Sequence, residues 1–62
     1  MIFIAEYDDK IVEINGTLVE KEHDRVLIKE IKIHESGAEQ YYTVAIFPGN
    51  TIVYPATTKL IA

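Results

Sequence analysis

The sequence predicts an all-β fold, a small and strongly bent barrel of five short strands. The first observation behind this prediction is composition: the chain is 48% hydrophobic, and isoleucine, valine, threonine and tyrosine, which favour strands, are prominent in it. The second is spacing, because turn signals recur at short intervals and separate runs rich in these residues. One domain therefore spans residues 1–62, with the barrel occupying about residues 1–55 and a tail at 56–62.

The first two strands are predicted from a turn and from an alternating pattern. Residues 2–7 form the first strand, and the acidic pair Asp8 and Asp9 predicts a tight turn after it. From Val12 to Leu18 apolar residues alternate with polar ones, which is the period of a strand with one face in a core. Gly16 falls on the inward face, and a glycine inside a strand commonly marks a sharp bend. We therefore expect the second strand to bend there.

The third predicted strand, Val26 to His34, changes face part-way along its length. Its apolar side shifts between Ile28 and Ile31, which indicates a β-bulge or strong coiling. The alternative is a helix from Glu20 to Glu35, because glutamate, lysine and leucine are good helix formers. The β-branched residues concentrated in this segment favour the strand.

The last two strands are bounded by the clearest turn signals in the chain. Gln40 to Phe47 forms the fourth strand, and Pro48 to Asn50 forms a hairpin turn whose glycine and asparagine tolerate positive φ. Thr51 to Tyr54 is then a short fifth strand. Pro55 has no N–H and belongs at the end of the sheet, so we expect the tail from Ala56 onward to leave the barrel.

Length and charge restrict the classes of function. A chain of 62 residues buries only about 60% of its unfolded surface, and without cysteine it has neither disulfides nor thiolate metal sites. Association with other copies is the remaining way to gain stability. The net charge of −4 excludes a broad phosphate-binding surface, so a nucleic-acid site must be local. The opening apolar run is too short to span a membrane, and we expect a cytoplasmic protein.

No arrangement of residues points to catalysis, a cofactor or a metal. The sequence has no spacing typical of a nucleophile with its base and no glycine-rich phosphate loop. His23 and His34 are too far apart along an extended chain to share a metal ion. We therefore do not expect an enzyme.

Two stretches resemble the motifs of the Sm-like family, to which LSm and Hfq proteins belong. Residues 14–28, Ile-Asn-Gly-Thr-Leu-Val-Glu-Lys-Glu-His-Asp-Arg-Val-Leu-Ile, resemble the first motif, in which Gly-x-Leu precedes a polar loop and a hydrophobic strand. Residues 46–54, Ile-Phe-Pro-Gly-Asn-Thr-Ile-Val-Tyr, resemble the second motif, although Pro48 stands where the family has arginine. The resemblance implies a five-stranded SH3-like barrel, without the family's N-terminal helix.

The resemblance also implies a ring that binds single-stranded RNA at its pore, as a chaperone or scaffold. By position, the RNA-contacting loops are those that contain His23, Asp24, Arg25, Gly49 and Asn50. His23 and Arg25 would stack on bases or hold a phosphate, and Asn50 would contact a base edge. The alternative is that these residues form only a solvated polar turn and a hairpin. The chain would then be a protein-recruiting ring module or a monomeric SH3-like interaction domain.

Subunit contacts in such a ring would join the fourth strand of one copy to the fifth strand of the next, in a ring of about five to eight copies. Tyr41 and Tyr42 point to opposite faces of one strand, so we expect one in the core and the other at the interface. Phe3, Phe47, Leu18, Ile14 and Ile33 are assigned to the core. The predicted interface residues are Tyr41, Tyr42, Thr51, Ile52, Val53 and Tyr54.

Overall fold

The computed structural model describes residues 1–57, and it confirms the predicted all-β class. No helix in this range is long and apolar enough to cross a lipid bilayer. The prediction that the tail leaves the barrel falls largely on residues 58–62, which lie outside the described residues. Six strands form the fold: β1 (Ile2–Tyr7), β2 (Lys10–Asn15), β3 (Leu18–Lys21), β4 (Arg25–Ile33), β5 (Glu39–Pro48) and β6 (Ile52–Pro55).

The strands form two three-stranded antiparallel sheets. One sheet has the order β2, β1, β6 and the other the order β3, β4, β5. Strand pairing among residues 1–57 defines these two small sheets and no closed barrel. The helix considered for Glu20 to Glu35 is wrong, because this segment contains the end of β3 and the whole of β4.

The chain passes from one sheet to the other at Gly16 and Thr17. The N–H of Gly16 donates to the carbonyl oxygen of Met1 at 3.0 Å, in the first sheet. The N–H of Thr17 donates to the carbonyl oxygen of Lys29 at 2.7 Å, in the second. A Cβ at Gly16 would overlap the Cγ2 of Ile28 and lie 3.3 Å from the Lys29 carbonyl oxygen. The strand predicted to bend at Gly16 is therefore divided there into β2 and β3.

A two-residue turn joins β1 to β2. Asp8 has φ 46° and Asp9 has φ 61°, so both central residues are left-handed. This is the backbone that a tight hairpin with right-handed twist requires, and aspartate tolerates it better than most residues. The turn predicted at this acidic pair is confirmed, although it lacks glycine.

A bulge interrupts the pairing of β4 with β5, where the sequence predicts a change of face. Ile28 lies opposite Ala45, whereas Lys29 lies opposite Thr43. Val44 is therefore the extra residue, and it belongs to β5 and not to β4. A bulge increases the local twist of the two strands. Beyond it the hairpin end is mostly exposed to solvent.

The hydrophobic core lies between the inward faces of the two sheets. It is extended by partly buried side chains, among them Tyr7, whose ring centroid lies 5.4 Å from that of Phe47. The core residues are exposed by 7% or less, and burying such side chains supplies most of the favourable free energy of folding. The central cluster consists of Phe3, Ala5, Val26, Ile28 and Phe47.

Three of the burial predictions need correction. Ile33 is 73% exposed, because it lies at the solvent-exposed end of the hairpin, and Leu18 is only half-buried. Neither tyrosine of β5 belongs to the core cluster: Tyr41 is 49% exposed and Tyr42 is half-buried. The Nζ of Lys32 lies 5.2 Å from the centre of the Tyr42 ring, a cation–π contact at the surface.

Candidate functional site

The two loops predicted to form a site lie against each other. A Cβ at Gly49 would be 3.0 Å from the carbonyl carbon of Asp24, 3.1 Å from its oxygen and 3.3 Å from the nitrogen of Arg25. Arg25 also lies opposite Pro48 in the β4–β5 ladder. The β3–β4 loop and the β5–β6 turn therefore meet at one end of the sheet.

The β5–β6 turn does not use the backbone conformation that its sequence suggests. The N–H of Thr51 donates to the carbonyl oxygen of Pro48 at 3.0 Å, which closes a four-residue turn. Within the described range, positive φ occurs at Asp8, Asp9 and Gly37, and so not at Gly49 or Asn50. The prediction of a hairpin with positive φ at this turn is wrong, because β5 and β6 pair with different strands in different sheets. Glycine is favoured at position 49 because a Cβ there would lie 3.0–3.3 Å from the backbone of the β3–β4 loop, which is tighter than an ordinary contact.

A double contact between Glu22 and Arg25 closes the β3–β4 loop. The N–H of Glu22 donates to the carbonyl oxygen of Arg25 at 2.9 Å. The Nε of Arg25 donates to the Oε1 of Glu22 at 2.5 Å, and this hydrogen bond raises the pKa of the Arg25 guanidinium. Glu22 is not among the site residues predicted from the sequence, although opposite charges three residues apart around a turn are a signal for such a pair.

This ion pair sets the electrostatics of the loop. Arg25 stays positively charged, but its guanidinium is held by Glu22, and Asp24 adds a second negative charge beside it. Release of counterions from phosphates depends on uncompensated basic side chains. The loop therefore offers little attraction to a phosphate backbone, and contacts to bases through stacking or hydrogen bonding are the chemistry it can support.

The predicted RNA-contacting residues are exposed to solvent, whereas Thr51, a predicted interface residue, is buried. His23, Asp24, Arg25, Gly49 and Asn50 are all exposed. Thr51 is 4% exposed, and its Oγ1 is buried without a hydrogen-bond partner among residues 1–57, so its side chain is not available to a neighbouring subunit.

The other predicted interface residues lie on the two end strands, with different exposures. Ile52 on β6 is 63% exposed, while Val53 packs against the core. The hydroxyl of Tyr54 donates to the Oε2 of Glu6 at 2.5 Å, which fixes β6 to β1 through a side chain as well as through the backbone. Tyr41 is exposed on β5.

The two histidines lie in different parts of the fold. His23 is in the β3–β4 loop, whereas the Nε2 of His34 lies 2.8 Å from the Oε1 of Gln40 in the β4–β5 hairpin. The described part of the chain contains no group of three or more histidine, cysteine or carboxylate side chains that could hold a metal ion. The candidate site is therefore the exposed loop pair itself. Neither a family model, nor a curated protein, nor a solved structure matches the chain significantly.

Proposed function

We propose that the chain is an Sm-like subunit of a homo-oligomeric ring, in which β5 of one copy pairs with β6 of the next. The observation that supports this proposal is the strand order. Only two residues separate β2 from β3, so these two strands can be treated as one bent strand that joins the two sheets. The order of strands across both sheets is then β6, β1, β2/β3, β4, β5. β5 and β6 are the two outermost strands of that series, and β2 and β3 are the other edge strands of the two sheets.

Backbone chemistry favours pairing between these two ends. Each end strand presents N–H and C=O groups on the side away from its partner, and such groups template the addition of another strand. Joining two different edges is a heterologous contact, which closes into a ring when the rotation allows. A 62-residue chain also gains stability in this way, because subunits that bind only the folded state shift the folding equilibrium toward it.

Ile52→Lys tests the edge contact, and Ile11→Lys is its matched control. Ile52 is 63% exposed and Ile11 is 65% exposed, and both lie opposite Glu6, on β6 and β2 respectively. A lysine on an edge strand opposes strand addition, so we expect Ile52→Lys to raise the dissociation constant of the assembly about tenfold or more. Sedimentation velocity over a range of protein concentrations measures this. Ile11→Lys should sediment as the wild type does.

Two results would contradict the edge contact. One is a wild-type mass that stays at the 7.1 kDa of a single chain at every concentration, which would support a monomeric interaction domain. The other is an equal loss of assembly in both variants, which would mean that the added charge acts without regard to the strand that carries it.

Binding of single-stranded RNA at the loop pair is the second candidate function. The observation that favours it is the packing of Gly49 on Asp24, which brings the exposed His23 and Asn50 onto adjoining loops. An imidazole can stack on a base, and an asparagine amide can pair with a base edge. A ring would repeat this loop pair around its axis, so that weak contacts act together.

Fluorescence anisotropy with uridine-rich and adenosine-rich oligonucleotides tests this second candidate. Loss of one stacked base costs about 1–3 kcal/mol, so His23→Ala should weaken binding about fivefold or more. His34→Ala is the control, because it removes the other histidine at the β4–β5 hairpin. No binding at micromolar protein, or equal affinity of the two variants, would contradict RNA recognition by these loops and favour a ring that recruits proteins.

A further inference from the structure

One asparagine of the chain is followed directly by glycine, at Asn15 and Gly16. The backbone nitrogen of the residue after an asparagine can attack the side-chain amide carbon, which closes a five-membered succinimide ring. Glycine in that place favours the attack, because it has no side chain to hinder it and leaves the backbone free to turn. The other asparagine, Asn50, is followed by Thr51, whose branched Cβ hinders the same attack. Asn15 is therefore the asparagine of this chain that is suited to spontaneous deamidation.

In the folded chain the nitrogen that would attack is held in place. The N–H of Gly16 donates to the carbonyl oxygen of Met1 at 3.0 Å. Asn15 is the last residue of β2 and lies opposite Ile2 in the ladder with β1, so its backbone is extended. Ring closure requires the chain to rotate at Asn15 until the nitrogen reaches the side chain. The side chain of Asn15 is exposed to water, but the backbone beside it blocks the reaction.

The second sheet holds the next residue as firmly. The N–H of Thr17 donates to the carbonyl oxygen of Lys29 at 2.7 Å, and its Oγ1 accepts from the N–H of Ile31 at 3.2 Å. Gly16 itself is buried. A rotation at Asn15 would disturb contacts in both sheets at once, so it requires the strands around this crossing to open.

We propose that Asn15 and Gly16 form a self-modification site that is closed in the folded chain and open in the unfolded chain. When the site is open, the nitrogen of Gly16 gives its proton to hydroxide and forms a bond to the Cγ of Asn15. The bond from Cγ to Nδ2 then breaks, and the amide nitrogen takes up a proton and leaves as ammonia. Water adds to either carbonyl of the succinimide ring and opens it, which gives aspartate or isoaspartate at position 15.

The two products affect the fold differently. Aspartate at position 15 keeps the length of the backbone, and its side chain replaces one that is exposed. Isoaspartate routes the backbone through the former side chain, which adds one carbon atom to the main chain before Gly16. Gly16 and Thr17 are bonded to different sheets, and a carbon added to Gly16 would overlap the side chain of Ile28. The crossing cannot take up the extra length, so a chain that forms isoaspartate does not regain the native fold.

The rate of modification depends on how often the chain opens. A reaction that proceeds only through an open state has the rate of the unfolded chain multiplied by the fraction of molecules that are open. Association with other copies stabilises the folded state and lowers that fraction. The site therefore accumulates a permanent record of unfolding. This inference depends neither on the ring nor on RNA binding.

Peptide mass spectrometry tests whether the fold closes the site. The wild-type chain is incubated at mildly alkaline pH in buffer and in guanidinium chloride, and deamidation at each asparagine is followed over time. Deamidation at Asn15 should be about a hundredfold or more slower in buffer, because a domain of ordinary stability is rarely open. In guanidinium chloride Asn50 should react more slowly than Asn15. Asn15→Gln, which would need a larger ring, should stay unmodified at this position. Equal rates at Asn15 in the two solvents would overturn the proposal.

Refolding of the separated products tests the effect of the longer backbone. Isoaspartate is identified with a protein isoaspartate methyltransferase and S-adenosylmethionine. Asn15→Asp is the matched control, because it carries the same added charge without the additional carbon. It should fold with a urea midpoint close to that of the wild type, whereas the isoaspartate form should keep the circular dichroism of an unfolded chain in buffer. An isoaspartate form that unfolds at the same urea concentration as Asn15→Asp would overturn the proposal. Failure of Asn15→Asp to fold would also overturn it, since charge and not backbone length would then be the cause.

Discussion

Replacing Gly16 with alanine is expected to lower the free energy of unfolding by about 2–3 kcal/mol, as overpacking of a core typically does. The new Cβ would overlap the Cγ2 of Ile28, a fully buried residue, and lie 3.3 Å from the carbonyl oxygen of Lys29. Total stability of a small domain is about 5 kcal/mol, so the loss is close to half of it. Urea denaturation followed by circular dichroism measures the change.

A second substitution at Ile28 shows whether this overlap is the cause. Leucine has no methyl group on Cβ, and Ile28→Leu alone should cost less than about 1.5 kcal/mol. In Gly16→Ala with Ile28→Leu the two costs should not add, because the double variant removes the colliding atom. Gly37→Ala is the control: its φ of 84° strains alanine while nothing lies within 4 Å. Its cost should be unchanged by Ile28→Leu. Additive costs for Gly16→Ala and Ile28→Leu would contradict the explanation.

Features that depend on short stretches of chain could be predicted from the sequence. The period-two pattern around Gly16 predicts a strand with a bend, and the acidic pair Asp8 and Asp9 predicts the turn whose φ values are positive. The change of face after Ile28 predicts the bulge, although pattern alone does not tell which strand carries the extra residue. Alternation and turn chemistry are local properties, so they survive in a single sequence.

Features that depend on distant parts of the chain could not be predicted in this way. Alternation tells on which side of a strand Ile33 lies, but not whether another layer covers that side, and in the structure none of residues 1–57 does so. For Tyr42 as well, alternation gives the side of the strand but not how far that side is covered, and the residue is half-buried. The contact between Gly49 and Asp24, 25 positions earlier, leaves no trace in the local sequence, which predicts only a turn at Gly49.

Gly49→Ala is expected to separate the two loops of the candidate site. All three atoms within reach of the new Cβ, at 3.0–3.3 Å, belong to the backbone of Asp24 and Arg25. A backbone cannot rotate away as a flexible side chain can, so we expect a loss of about 1–3 kcal/mol in unfolding free energy. Asn50→Ala in the same turn should cost about 0.5 kcal/mol or less, because Asn50 is exposed. If RNA binds at the loop pair, Gly49→Ala should also weaken its binding.

Amide hydrogen exchange locates the damage in Gly49→Ala. The N–H of Glu22 is bonded across the β3–β4 loop to Arg25, and the N–H of Thr51 is bonded within the turn that contains Gly49. If the contact between the loops is what requires glycine, exchange should accelerate at Glu22 as well as at Thr51. The N–H of His34, bonded to Ala38 in the other hairpin, should keep its wild-type rate after correction for global stability. Faster exchange at Thr51 alone would mean that glycine at position 49 is needed only for the β5–β6 turn. The contact between the two loops would then not explain why they act as one site.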